Sequence, residues 1–164
     1  MKEKIKTLSK LKLIVEKMRK EGSKIVFTNG CFDLLHRGHI RYLRRAKALG
    51  DLLIVGLNSD QSVRAIKGKT RPLLPQAERA EILSALEFVD YIIVFKEPSP
   101  VNLILKLKPD LQVKGGDYRK EEVLEKEAVE SYGGKVVVVK EEKGYSTTNL
   151  IEKIRGRKSK CPHS

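Results

Sequence analysis

The chain has 164 residues, the size of one domain with a real core, and its 34 Lys+Arg against 21 Asp+Glu give a formal charge of +13, which favours anionic partners such as nucleotides, sugar phosphates or nucleic acid. No run of about 18 apolar residues could cross a membrane, the basic N-terminus lacks a secretory h-region, and Cys31 and Cys161 are spaced like neither a disulfide framework nor a zinc site; a cytoplasmic protein without a membrane partner is expected. Aromatic residues are 5% and tryptophan is absent, which argues against a base-stacking nucleic-acid platform.

In chain order, Ile5, Leu8, Leu11, Val15 and Met18 recur at helical spacing, predicting an amphipathic helix over 2–20 that Glu21-Gly22 ends. A short buried strand is expected at 24–28. A helix at 38–49 carries Ile40, Leu43, Ala46 and Leu49 and stops at Gly50. The run 52–58 is almost wholly apolar, as in a strand covered on both faces. A short helix follows Ser59, and GKTRPLLP reads as a loop by its Gly and Pro content. Helix 76–86, strand 91–95, helix 101–107, strand 111–114, helix 121–132, strand 135–139 and helix 146–155 complete the series. The predicted organisation is an N-terminal helix (1–21), one domain (22–155) and a basic, disordered tail (156–164). Five strands alternating with helices imply βαβ units and right-handed crossovers: an α/β, Rossmann-like three-layer sandwich with a five-stranded parallel sheet. Such sheets bind ligands beyond the carboxyl ends of their strands.

The stretch NGCFDLLHRGH, residues 29–39, leaves the first strand at such an end. His36 and His39 are three apart and share one helical face. Gly38 between them removes a side chain where a ligand could approach the backbone. A helix N-terminus supplies unpaired N–H groups and the positive end of a dipole, so the turn suits a phosphate. The plain alternative is one core histidine and one solvated one; a metal pair would need further ligands close by. Neither GxGxxG nor GxxxxGK[ST] occurs, which excludes the dinucleotide fingerprint and the P-loop. Lys47 merely complements a helix C-terminus, and Asp60 reads as a helix cap.

GCFDLLHRGH resembles the HxGH signature of the superfamily of cytidylyl- and adenylyltransferases, and GYSTTNLIEKI, 144–154, resembles its second signature. With YLRRAKALGD, VGLNSDQSVRAIKG, VDYIIVF and KPDLQVKGGDY, the likeness from about residue 22 to 155 narrows to the adenylyltransferase domain of bifunctional ADP-heptose synthases, here expected in a stand-alone form without the kinase domain. The resemblance implies transfer of AMP from ATP to D-glycero-D-manno-heptose 1-phosphate, giving ADP-heptose and pyrophosphate for lipopolysaccharide precursor synthesis. It implies magnesium on the phosphates, a homodimer, and no nucleic-acid partner.

By the same resemblance His36 and His39 donate hydrogen bonds to phosphate oxygens, Ser146 and Thr147 meet the β/γ-phosphates, and Lys67 neutralises charge in the transition state. Thr28, Asn29, Gly30, Cys31, Phe32, Gly38, Lys114, Gly115, Gly116, Asp117, Tyr118, Gly144, Tyr145 and Thr148 then surround the nucleotide. Asp33, Arg71 and Arg79 fall to the sugar phosphate. No protein residue is expected as a metal ligand. One departure stands out: many cytidylyltransferases carry Arg-Thr before the glycine of the second signature, where this chain has Glu142-Lys143. Glycerol-3-phosphate cytidylyltransferase and FMN adenylyltransferase keep the fold and change the substrates. A non-catalytic nucleic-acid-binding module is the alternative of another class, separable by steep salt dependence without nucleotide turnover.

Overall fold

The structure, a computed structural model, describes residues 2–116, 123–140 and 147–156. Its strands are β1 (Ile25–Gly30), β2 (Leu52–Asn58), β3 (Tyr91–Phe95), β4 (Leu111–Gly115) and β5 (Lys135–Val139). Its helices are α1 (Leu8–Lys20), α2 (Arg37–Lys47), α3 (Asp60–Lys67), α4 (Gln76–Ser84), α5 (Val101–Leu107), α6 (Lys126–Glu130) and α7 (Thr147–Gly156). The sheet order is β3-β2-β1-β4-β5 and every neighbouring pair is parallel. The chain builds outward from β1 to β3, then crosses back to lay β4 on the other side of β1. The switch in strand order therefore falls between β1 and β4, where a crevice opens beyond their carboxyl ends.

Strand alternation sends side chains to two cores. Ile25, Phe27 and Ile54 meet Leu11 and Val15 of α1 and Ile104 and Leu107 of α5 on one face. Val26, Leu53 and Val55 meet Leu43 and Ala46 of α2 and Ala80 and Leu83 of α4 on the other. This is the expected three-layer α/β sandwich, and it explains why β2 reads as unbroken apolar sequence: each of its residues is buried.

The amino ends of the strands are tied by three aspartates, each one residue before a strand. Asp51 Oδ2 accepts from the Lys24 N–H at 2.8 Å, Asp90 Oδ2 from the Leu53 N–H at 2.6 Å, and Asp110 Oδ2 from the Ile25 N–H at 2.7 Å. Each carboxylate thus satisfies an N–H at the start of the neighbouring strand, where the ladder has no further carbonyl to offer.

Three expectations are corrected. The helix predicted over 2–20 begins only at Leu8. Lys2–Lys4 form a 3-10 turn, Ile5 makes a single parallel bridge to Ile92, and the Lys6 N–H donates to Ile92 O at 2.9 Å. Thr7 caps α1 by accepting from the Lys10 N–H, so Ile5 fits the helical period while serving the edge of β3. The helix predicted over 121–132 is described only from Lys126 to Glu130; residues 121 and 122 lie outside the described residues, and Val123–Glu125 precedes the helix as a turn, with Val123 and Glu125 buried and Glu125 at the N-cap. The last helix includes Gly156; the tail from 157 onward lies outside the described residues.

Candidate active site

The carboxyl ends of β1, β2 and β4 open into a cleft of about 790 Å³. Its floor is the loop after β1. The chain leaves Gly30, turns at Phe32 with φ +43, and enters α2 at Arg37. Positive φ at a bulky residue is costly and is held here by packing. The Phe32 ring is buried, and it sits so close to Gly30 that a Cβ there would lie 2.9 Å from Phe32 Cε2. Gly30 is thus the residue that lets the ring lie down.

The same ring meets His39 at a centroid distance of 5.4 Å. His39 in turn stacks on His36, with centroids 3.9 Å apart and planes 24° from parallel. His36 is the N-cap of α2, so both imidazoles stand on its first turn, where the helix dipole favours an anion. Burial, helped by the neighbouring His36, pushes the His39 pKa down to about 4. His39 is therefore neutral at pH 7, with one N–H to give. Its Nδ1 is buried and has no hydrogen-bond partner among the described residues.

Asp33 follows Phe32 and holds the loop after α3. Its Oδ1 accepts from the N–H groups of Leu73 and Leu74 at 2.8 and 3.1 Å. Arg71 Nε lies 2.8 Å from Oδ2, close enough for an ion pair though outside hydrogen-bond alignment. Asp33 and Arg71, both expected at the sugar phosphate, are thus brought together at the cleft and face each other. Lys67 ends α3, is exposed, and lines the cleft just before Gly68, whose φ of +94 stops the helix.

Arg79 is a correction. Its side chain is fully buried. The guanidinium donates to Leu74 O, Cys31 O, Asn58 O and Asp60 Oδ1 at 3.0, 2.5, 2.9 and 2.7 Å. A guanidinium has five N–H donors, and four are spent inside the protein. Arg79 fastens the loops after β1 and β2 to α4 instead of presenting charge to a ligand. Thr28 is a second correction: it is fully buried, and Oγ1 lies 2.5 Å from Tyr42 Oη, whose proton goes to Val113 O. It supports the floor and does not line the cleft.

Asn29, Gly30, Cys31, Phe32, Lys114, Gly115 and Thr147 do line it. Thr147 Oγ1 donates to Leu34 O at 3.3 Å, which seats the start of α7 on the histidine loop. Gly38 is in the first turn of α2, and Gly116 follows β4 with φ +135. Asp117, Tyr118, Gly144, Tyr145 and Ser146 lie outside the described residues, as does the side chain of Thr148. Burial raises the Cys31 thiol above its ordinary value despite nearby Lys67, which keeps it protonated and a poor nucleophile. Sequence reasoning missed Glu125, Asn58, Val63, Ile66 and Ser99, which also line the cleft. Glu125 stands in KEEVLEKE, where nothing in the sequence separates it from surface acids.

A phosphate-suited helix start with paired imidazoles, set at the switch point of a parallel sheet, defines a nucleotide-handling α/β domain. Residues 27–154 match the model of the cytidylyltransferase-like family. The chain is 57% identical over 152 residues to the bifunctional protein HldE of Geotalea uraniireducens, covering 93% of this chain and 31% of that one. It thus spans about a third of that relative's length. The crystal structure of a lipopolysaccharide core biosynthesis protein from Thermoplasma volcanium superposes with a TM-score of 0.62 at 33% identity, over 76% of this chain and all of that one. Pantoate-beta-alanine ligase from Francisella tularensis, at 20% identity and a TM-score of 0.60 over 83% of this chain and 66% of that one, shares the fold. The chain belongs to the cytidylyltransferase-like family of nucleotidyltransferases.

Proposed function

We propose that this domain transfers AMP from ATP to D-glycero-D-manno-heptose 1-phosphate, releasing pyrophosphate and forming ADP-heptose. The likeness to HldE and to a lipopolysaccharide core biosynthesis protein supports the acceptor. The observation that carries the reading is the stacked His36–His39 pair on the first turn of α2, facing a cleft that Thr147 and Lys67 also line.

The chemistry suits those residue types. The acceptor phosphate is already ionised at neutral pH, so in-line attack on the α-phosphorus needs neither a general base nor a protein nucleophile. What remains is positioning and relief of the charge that builds on the α-phosphate and the leaving pyrophosphate. A neutral His39 acts as a hydrogen-bond donor and not as a proton shuttle. Lys67 supplies mobile positive charge, Thr147 a hydroxyl beside a helix N-terminus, and Arg71 leaves Asp33 to meet the acceptor phosphate. Among the described residues no three His, Cys, Asp or Glu side chains are grouped to hold a metal ion. Asp33 Oδ1 accepts two backbone N–H groups, and its Oδ2 faces Arg71. Magnesium in this reading arrives as part of the substrate, on the triphosphate of ATP.

The test is pyrophosphate release from ATP, CTP, GTP and UTP, each with heptose 1-phosphate, glycerol 3-phosphate and FMN. The expected result is release with ATP and heptose 1-phosphate alone. Release with CTP and glycerol 3-phosphate would instead assign the cytidylyltransferase activity.

A further inference from the structure

Across the cleft from Lys67, at the end of β4, Lys114 is placed quite differently. Its ammonium donates to Glu125 Oε1 at 2.7 Å and to Asn29 Oδ1 at 3.0 Å. The Glu125 side chain is 7% exposed and that of Lys114 20%, so the pair is largely withdrawn from water. Asn29 Oδ1 also accepts from Gln112 Nε2 at 3.0 Å. Lysine can only donate, so Asn29 must turn its carbonyl oxygen to Lys114, and Gln112 must then present its NH2 group. The network fixes both amides without ambiguity. Lys114, Asn29 and Glu125 all line the cleft.

An ammonium has three N–H donors, and two are spent here. One remains for an occupant of the cleft, together with the NH2 of Asn29 and the second oxygen of Glu125. This corner therefore has donors and an acceptor but no net charge. An oxygen bound to the remaining N–H would lie about 4.5 Å from Glu125 Oε1, by tetrahedral geometry at ordinary hydrogen-bond lengths. The buried carboxylate offsets much of the attraction that an unpaired Lys114 would exert on a phosphate dianion held there. A hydroxyl can accept from Lys114 there and turn its own proton towards the second oxygen of Glu125.

We propose that Glu125 is a positioning residue that fixes Lys114 and Asn29 as a hydroxyl-binding subsite, taking a hydroxyl of the nucleotide ribose or of the acceptor sugar and not a phosphate. The proposal rests on the nucleotidyltransferase reading of the cleft and adds a division of labour to it. Charge is met on the α2, α3 and α7 side, and uncharged hydroxyls are met at β4.

The test compares the intact protein with Glu125→Gln, which keeps the shape and removes the charge, each checked for folding by thermal melting. Binding of ATP, 2′-deoxy-ATP, 3′-deoxy-ATP and ADP is measured by calorimetry, without relying on turnover. Heptose 1-phosphate and inorganic phosphate are then compared as competitors for the acceptor site. The expected result is that one ribose hydroxyl, or the sugar over bare phosphate, is worth about tenfold or more in affinity to the wild type. That preference should shrink towards unity in Glu125→Gln, while the preference for ATP over ADP is unchanged. The nucleotide arm responding assigns the ribose; the competitor arm responding assigns the acceptor sugar. An unchanged hydroxyl preference in both arms, or a fall in affinity that tracks phosphate number, overturns the proposal. If Glu125→Gln does not fold, the double substitution Lys114→Met with Glu125→Leu removes both charges and is read in the same way. Failure of pyrophosphate release alone would count against the proposed reaction and leave these binding ratios standing.

Discussion

Protonating His39 would place a cation in a buried stack against His36. The linkage has a definite sign. The folded pKa of about 4 lies below the ordinary histidine value of 6.5, so between those limits the unfolded chain binds the proton and the native one does not. Stability is full above about pH 6.5, is lost as pH falls towards 4, and loses nothing more from this group below that. The loss is roughly 3 kcal/mol over the window, and chemical denaturation at stepped pH should show it flattened in His39→Gln. Arg79 belongs to the same scale. Arg79→Met would strand Cys31 O, Asn58 O and the Asp60 carboxylate, and should cost about 3–5 kcal/mol in denaturant unfolding. Arg71→Ala removes a side chain that is 20% exposed and leaves Asp33 its two backbone N–H donors, so it should alter stability far less and raise the KM for the acceptor. Sequence alone could not separate these two arginines. Arg71 falls in the GKTRPLLP loop and Arg79 in the helix that follows it, and only burial tells which one faces inward.

Among the elements, the strand-start aspartates act as register pins. Asp110→Ala leaves the buried Ile25 N–H unsatisfied and should cost about 1–3 kcal/mol, with the activity per folded molecule unchanged. Gly30→Ala should also change the activity of the molecules that fold. The added Cβ pushes on the buried Phe32 ring, which supports His39, so kcat per folded molecule should fall several-fold along with some loss of melting temperature. Steady-state kinetics beside a melting curve separates the two cases. The helices and strands themselves were largely legible, because apolar periodicity in segments such as LLIVGLN reports burial on both faces. The N-terminus was not. Ile5 satisfies the helical period and the edge bridge equally, and the choice is made by the cap at Thr7 and the carbonyl of Ile92.

For the whole molecule, the alternation of strands and helices foretold the parallel sheet, and the strand order β3-β2-β1-β4-β5 then explains why the β1 and β4 loops face one cleft. The histidine loop was legible because its residue types are unusual for a turn. The network of Asn29, Gln112, Lys114 and Glu125 was not, because it joins strands distant in sequence and one acid among many. The most direct measurement is single-turnover pyrophosphate release from ATP and heptose 1-phosphate in wild type, His36→Ala and His39→Ala, each confirmed folded. The stacked pair as donor to transition-state charge predicts a drop of about 10²-fold or more in rate for each variant. Wild-type rates in either variant would contradict it.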